Sequence, residues 1–446
     1  MYLKKKKQDF LSRLFNSNQT NEYIKYKNFF NDILEPLFYN GLAKKRDRGL
    51  FKKLNCFVPF LSSELFEPIN GYDWKNTKIL FNNDLFKKIF DIFNRYNFTA
   101  REEEPLETEV AVDPEMLGKV LENLLPDKEK RLTGTFYTPR PIVDYMCSQA
   151  ITNFLKIHFN KELCEEDFKN IILISNAEEK PNVEKNFFIK NFYKIIDRID
   201  EKLMNIYICD PAIGSGAFTV SIMNKIVKIR LFLNSFKNDK KNKYTFKRNF
   251  IENCMYGVDI EPSAIDTAKL RLYLSLIVDE EKIENLHQLP NLDFKIMQGN
   301  SLIDEFNGIK LDLTFSSDNL EIISDQPKIN GMIDEIKKIK KKLIYIQDYE
   351  IKKIKKEDIN KLIYNILKIK IKSVKNFNSS IKNVIHEVLN SKTKKNFFAW
   401  KIFFSEVFTN KGGFDIVIAN PPYKSYGLRG VASLEKVEKQ MLKKIY

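Results

Sequence analysis

An α/β fold with a parallel sheet, a mainly helical domain ahead of it and a Lys-rich helical insertion within it is predicted by three features of the chain. From about residue 130 to 323, apolar runs, glycine turns and amphipathic stretches alternate, as in strand–helix–strand units. From about 327 to 395 the composition shifts to Lys, Ile and Asn. Isoleucines recur every three or four residues over 333–342 and 351–367, which predicts a long helical hairpin. The chain then returns to a β-branched apolar run at 414–419, of the kind found in buried parallel strands.

The elements follow in order. Residues 1–126 read as mainly helical, with loops around 57–68 and 70–76. Within them 116–124 carries apolar residues at helical spacing after Asp113-Pro114, a good helix start. Gly134-Thr135-Phe136-Tyr137-Thr138-Pro139-Arg140-Pro141 is a stiff aromatic segment leading into a helix over 142–154. An apolar strand at 206–210 runs into Asp210-Pro211-Ala212-Ile213-Gly214-Ser215-Gly216-Ala217-Phe218, and an apolar helix follows over 218–233. Glycines here let the backbone turn tightly and approach a ligand. Without Gly-Lys-Ser/Thr this is not a P-loop, and a third glycine at dinucleotide spacing is missing. Asp210 ahead of the glycines is placed to pair with a cationic or amino-bearing ligand.

A polar insertion at 234–249 separates this helix from a second strand, 255–259, ending in Asp259-Ile260-Glu261-Pro262, with a helix over 263–277. A carboxylate at that strand end is placed to accept the hydroxyls of a ribose. A third strand at 293–297 leads to Gln298-Gly299-Asn300, where Asn300 suits either the edge of an adenine or a plain turn. After the hairpin, the strand at 414–419 ends in Asn420-Pro421-Pro422-Tyr423. The prolines forbid further pairing and force a stiff turn at the carboxyl end of the strand, where open α/β sheets bind ligands. An amide, a carbonyl and an aromatic ring are thus presented together, a set suited to gripping an amino group while a ring stacks on its base.

Composition narrows the classes further. With 446 residues, 43% hydrophobic, the chain is long enough for a substantial core. No run reaches membrane-spanning length, and the lysines at 4–7 are not followed by an apolar signal segment. Five scattered cysteines without a CxxC pair, and three isolated histidines, argue against a zinc centre or a disulfide framework and for a reducing cytoplasmic setting. A net charge of +15 favours a polyanionic partner.

Together these motifs resemble the S-adenosylmethionine-dependent, amino-methylating DNA methyltransferases. The closest likeness is to the adenine-specific (N6) enzymes of restriction-modification systems whose cofactor motifs precede the Asn-Pro-Pro-Tyr turn. The segments around Val58–Pro68 and Trp400–Phe408 are similar to two further stretches of the large restriction-methylases, although Ser62-Ser63-Glu64 replaces Asn-Gly-Gly in the first. The resemblance implies a Rossmann-like methyltransferase sheet. It divides the chain into an amino-terminal helical domain (1–126), a cofactor-binding part (127–323), the Lys-rich helical insertion (324–396) and a catalytic-motif segment (397–446).

The resemblance further implies that Phe136, Tyr137, Thr138 and Pro139 meet the methionine end of S-adenosylmethionine. Asp210, Pro211, Gly214, Gly216 and Phe218 would shape its pocket, Asp259 and Ile260 would hold its ribose side, and Asn300 would lie by its adenine. Asn420 and the carbonyl of Pro421 would grip the target amine. Pro422 would stiffen the turn and Tyr423 would stack on a base flipped out of double-stranded DNA. No metal is required. The family carries further sheet strands and a target-recognition domain beyond this turn. The expectation is therefore a truncated or split member that relies on a second polypeptide. Alternatives are a catalytically silent nucleic-acid-binding chain, and a methylase of RNA or of protein glutamine.

Overall fold

The computed structural model describes residues 26–54, 56–61, 66, 72–95, 138–176, 192–237, 241–280, 289–306, 309–310, 320–343, 346, 349–372 and 397–421. The chain divides into two compact units, Met1–Leu117 with Leu270–Asn291, and Gly118–Lys269 with Leu292–Tyr446. The expected helix over 116–124 lies outside the described residues.

In the first unit, β1 (Leu50–Phe51) and β2 (Cys56–Phe57) form a short antiparallel hairpin, and α1 (Asn83–Arg95) follows. β2 falls where the sequence predicts a loop. Its two residues are too few to leave an alternation in the sequence. Two π-helical segments, Phe30–Leu34 and Leu37–Leu42, flank Pro36. Proline has no N–H to continue the five-residue pattern that the Glu35 N–H makes to the Phe30 carbonyl. Lys53 Nζ donates to the Asp32 carbonyl in the same segment at 2.8 Å. Phe29, Ile33, Phe51, Leu54, Val58 and Phe86 make the core of this unit.

The second unit holds a parallel sheet of β3 (Ile208–Asp210), β4 (Met255–Asp259), β5 (Ile296–Gln298) and β8 (Ile416–Val417), in the order β5-β4-β3-β8. A small antiparallel pair, β6 (Glu305–Phe306) and β7 (Ile309–Lys310), stands apart from it. The registers align Asp210 with Gly257 and Asp259 with Gln298, so these strands present their carboxyl ends side by side. The strand expected at 293–297 begins later because Asp293–Lys295 form a turn. The N–H groups of Lys295 and Ile296 both bond the carbonyl of Leu292, at 3.0 and 2.9 Å. The run at 414–419 pairs with β3 as expected, and the N–H of Ile418 extends the ladder to the carbonyl of Cys209 at 3.0 Å.

Helices cover the sheet. α2 (Arg140–Phe159), α3 (Glu165–Asn176), α4 (Phe192–Met204) and α6 (Lys243–Asn253) all pack on α5 (Ala217–Asn234). α5 is buried on most of its circumference, as a central helix should be. Its buried charges are paired: Arg230 Nε meets Asp200 Oδ1 at 2.7 Å and Lys225 Nζ meets Asp144 Oδ1 at 2.6 Å. The supposed polar insertion at 234–249 is in part the start of α6, capped by Asn242, whose Oδ1 accepts the N–H of Thr245 at 2.9 Å. Tyr244, Phe246 and Phe250 anchor it in the core, and the Arg230 guanidinium lies over the ring of Phe246 at 4.6 Å. Lysines and asparagines between those aromatics mask this apolar stripe in the composition. α7 (Pro262–Ile277) follows β4.

The two lysine- and isoleucine-rich helices are α8 (Leu320–Leu343) and α9 (Tyr349–Lys372). Ile351 and Ile354 at the start of α9 are exposed, but most of the isoleucine stripe does not face solvent. Ile329, Ile333, Ile336, Ile359, Ile363 and Ile366 join one core cluster with Cys209, Tyr256 and Val258 of the sheet. In a strand, alternate residues share a face. Cys209 and Tyr256 lie opposite each other, with Val258 two residues further on, so these helices pack on that face. α10 (Trp400–Phe403) and α11 (Ser405–Lys411) add Phe398, Phe403, Phe404 and Val407 to the same cluster.

Candidate active site at the carboxyl ends of β3, β4 and β8

Asp210 ends β3 and is buried. Its Oδ1 accepts the N–H of Ala212 at 3.0 Å, the tight turn that Asp-Pro encodes. Its Oδ2 is buried with no hydrogen-bond partner among the described residues. An unmet acceptor of this kind costs stability. Burial pushes the carboxyl up to about 8. The Ala212 N–H opposes that shift and the nearby Asp259 adds to it. Asp210 is therefore a buried carboxyl with one oxygen left without a partner among the described residues.

The loop after it is built from glycines at left-handed angles, Gly214 at φ 52° and Gly216 at φ 84°. Gly216 caps α5, and a Cβ there would stand 3.3 Å from the Ala268 side chain on α7. No other residue combines that angle with that approach. The loop is also tied to the second strand. Ile213 N donates to the Val258 carbonyl at 3.0 Å, and Gly214 N donates to Asp259 Oδ2 at 2.8 Å. Asp259 Oδ1 accepts the N–H of Glu261 at 2.9 Å. Burial raises the Asp259 carboxyl, while these N–H groups hold it down.

At β5, the Gly299 N–H reaches the Asp259 carbonyl at 2.8 Å. A Cβ at Gly299 would lie 2.9 Å from the Phe397 carbonyl oxygen, so the chain entering α10 passes hard against this turn. Asn300 Oδ1 accepts the N–H of Leu302 at 3.1 Å, the turn-residue geometry. The indole of Trp400 donates to the Ser301 carbonyl at 3.1 Å, pinning the neighbouring segment. Ile260 is half-buried, and its carbonyl accepts from Gln298 Nε2 at 3.3 Å. Phe218 is packed in the core, and its carbonyl accepts from Cys147 Sγ.

The turn after β8 lies beside β3. Asp415 anchors the entry to β8: its Oδ2 accepts the N–H of Tyr207 at 2.7 Å and pairs with Lys411 Nζ at 2.6 Å. Asn420 then follows two residues after Ile418, whose N–H bonds the residue next to Asp210. Asn420 Nδ2 donates to Thr138 Oγ1 at 2.9 Å, joining residues 282 positions apart. Thr138 is half-buried, whereas Pro139 and Pro421 are exposed.

The structure thus gathers Asp210, Pro211, Gly214, Gly216, Asp259 and Ile260 around one loop, and joins Thr138 to Asn420. Phe136, Tyr137, Pro422 and Tyr423 lie outside the described residues. Sequence reasoning missed Asp415 and Gly299. Asp415 reads as an ordinary polar strand start, and the need for glycine at 299 comes from a segment almost 100 residues away in the chain.

Comparison with known proteins gives three relatives and one family. Residues 253–445 match the family described as Eco57I restriction-modification methylase. Over 94% of its length the chain is 29% identical to a Methanocaldococcus jannaschii protein described as a candidate type II restriction enzyme and methyltransferase, of which it spans 38%. It is 31% identical to the Escherichia coli type II restriction enzyme and methyltransferase RM.Eco57I over 28% of the chain and 14% of that protein. It is 27% identical to the methylase subunit of the M. jannaschii type I restriction enzyme MjaIX over 35% of the chain and 26% of that subunit. The chain therefore spans well under half the length of each of these relatives. The α/β fold with its parallel sheet is consistent with a methyltransferase. The resemblance to restriction-modification methylases carried by the motif order is shown by the family match and by the similarity along 94% of the chain.

Proposed function

We propose that this chain is the methyl-transfer part of a restriction-modification system, methylating N6 of adenine in double-stranded DNA with S-adenosylmethionine as donor. In this reading the β5-β4-β3-β8 sheet is part of a Rossmann-like methyltransferase sheet. α8 and α9 are an insertion in that sheet, and the setting is the cytoplasm. The chain acts together with protein that supplies target recognition, whether in the same polypeptide or a second one. The observation that carries the reading is the place of Asn420: at the end of a parallel strand, next to the strand whose end bears Asp210 and the glycine loop.

The residues present fit the cofactor. Asp210 Oδ2 is a buried carboxyl oxygen with no partner among the described residues, and Gly216 lets the loop turn tightly against Ala268, where a Cβ would crowd. Asp259 would hold the ribose hydroxyls with the lone pairs left beside its two backbone bonds. Ile260 and Asn300 would flank the adenine, and Phe136, Tyr137, Thr138 and Pro139 would close the methionine end. S-adenosylmethionine, when bound, supplies an electrophilic methyl group on a sulfonium.

The chain's own residues prepare the nucleophile. An aromatic amine is a poor nucleophile because its lone pair is delocalised into the ring. Asn420 Oδ1 and the Pro421 carbonyl accept hydrogen bonds from the two amine N–H groups, drawing the nitrogen toward tetrahedral geometry and aiming it at the methyl carbon. Orientation of this kind contributes roughly 7–11 kcal/mol in favourable cases. Tyr423 stacks on the extruded base.

The test is nucleoside analysis of unmethylated DNA treated with the protein and radiolabelled S-adenosylmethionine. Label in N6-methyladenine is expected. Label only in N4-methylcytosine, in RNA or in protein, or no label from a protein that binds both substrates, would overturn the assignment.

A further inference from the structure

We infer that Asp415 is a positioning residue for the reaction: its carboxylate pins the register of β8 against β3 and so sets how far along that strand pair Asn420 reaches. This rests on the proposed methyl transfer and adds to it a residue at the opposite end of the strand from the reacting groups.

The strand alone specifies its register weakly. Among the described residues β8 has a partner on one side only, with two paired positions, Ile208 with Ile416 and Cys209 with Val417. Ile416 and Ile418 are buried and Val417 is exposed, yet all three are aliphatic. A slide of one residue would exchange one aliphatic set for another, so apolar patterning does little to forbid it. For the site the same slide is decisive. It would carry Asn420 roughly 3.3 Å along the strand and reverse the face on which each strand side chain stands.

Asp415 supplies the missing pin. It engages both backbone groups of Tyr207: the Asp415 N–H donates to the Tyr207 carbonyl at 2.8 Å, and the Tyr207 N–H donates to Asp415 Oδ2 at 2.7 Å. A slide of one residue takes the carboxylate away from that N–H. Lys411, the last residue of α11, braces the pair. Its Nζ lies 2.6 Å from Asp415 Oδ2, donates to the Asn205 carbonyl at 2.7 Å and stands over the Tyr207 ring at 4.8 Å. The other side of the joint is fixed too, because the Ile208 N–H donates to the Cys254 carbonyl at 2.8 Å. Phe414 packs on the rings of Tyr256, Trp400, Phe404 and Phe408 and holds the segment to the sheet. Those ring contacts are broad, whereas a charge-assisted hydrogen bond has a direction and a length.

Two measurements on the full chain test this, the first without reference to activity. Amide hydrogen exchange in Asp415→Ala should quicken by about tenfold or more in peptides covering β3 and β8, the scale of one lost charge-assisted hydrogen bond. Peptides covering β4 should keep their wild-type exchange. Asp415→Asn, which retains an acceptor for the Tyr207 N–H but loses the ion pair, should fall between. Wild-type exchange at β3 and β8 in Asp415→Ala would refute the pin whatever the protein's function.

The second compares single-turnover methyl transfer with cofactor affinity and stability, at a temperature where every variant is folded. Asp415→Ala should lower the rate by about a hundredfold, the scale of a misplacement of about 1 Å, with S-adenosylmethionine affinity kept within about twofold. Asp415→Asn should recover most of the rate. Phe414→Leu loosens the same segment without touching the hydrogen bonds, so it should lower the urea midpoint and keep most of the rate. A fast Asp415→Ala, a rate loss that follows cofactor affinity, or one common dependence of rate on stability for the alanine and leucine variants would overturn the inference. Absence of transfer by the wild-type protein would instead count against the proposed function, and the exchange result would still decide the pin.

Discussion

Gly214 N donates to Asp259 Oδ2 at 2.8 Å, so the carboxylate expected to bind a ribose is also the clamp that sets the shape of the glycine loop. With Glu261 N on its other oxygen, Asp259 joins the end of β4 to the turn after β3 and to the start of α7. In the proposed reading, one side chain would therefore couple cofactor affinity to local folding.

Replacing it separates the two. Asp259→Ala should lower affinity for S-adenosylmethionine by at least about tenfold and cost about 1–3 kcal/mol of stability, because two backbone donors lose their acceptor. Asp259→Asn keeps one acceptor oxygen and should fall between. Calorimetric titration and urea unfolding measure both. A stability of Asp259→Ala equal to wild type would refute the clamp.

The Asp210 carboxyl gives a pH signature. Burial holds it at about 8 in the folded protein against 3.8 for an ordinary carboxyl. The folded state then keeps a proton that the unfolded chain has lost, so this group lowers stability as pH rises from about 4 to about 8. Asp210→Asn, which cannot ionise, should remove that slope and be most stabilising relative to wild type above pH 8. Urea midpoints of both proteins at a series of pH values test it. Parallel curves would show that Asp210 does not carry the raised pKa.

Two glycines should respond in opposite directions to alanine. Gly299→Ala drives a Cβ to 2.9 Å from the Phe397 backbone and 2.7 Å from the Phe398 ring. It should destabilise by about 1–3 kcal/mol, as overpacking does, and shift the turn that bears Asn300. Gly331 sits inside α8 with nothing within 4 Å of an added Cβ. Gly331→Ala should stabilise by about 0.5–1 kcal/mol. Thermal denaturation of the two variants checks both signs.

Much of the sheet was legible because its strands announce themselves. The apolar runs ending at Asp210 and Asp259 stop in acids followed by proline or glycine turns, and the run ending at Asn420 stops in a double proline. The positive φ of Gly214 and Gly216 follows from the Gly-x-Gly turn. What stayed hidden depends on partners distant in the chain. The isoleucines of α8 and α9 repeat with helical period whether they face solvent or a sheet, so burial against Tyr256 and Val258 could not be told from spacing. The Thr138–Asn420 bond joins two motifs that the sequence places at opposite ends of the sheet domain, and no local pattern marks it. Asn300, open between adenine contact and turn, shows the turn hydrogen bond in this structure, which leaves the adenine role to the proposal.

The most direct test of the account is single-turnover methyl transfer to DNA by Asn420→Ala at a saturating concentration of S-adenosylmethionine. The predicted result is no N6-methyladenine from a variant that still binds the cofactor within about twofold of wild type, because in the proposed reading Asn420 would act on the target amine and the loops after β3 and β4 would hold the cofactor. Wild-type transfer by Asn420→Ala, or loss of transfer traced wholly to lost cofactor binding, would contradict it.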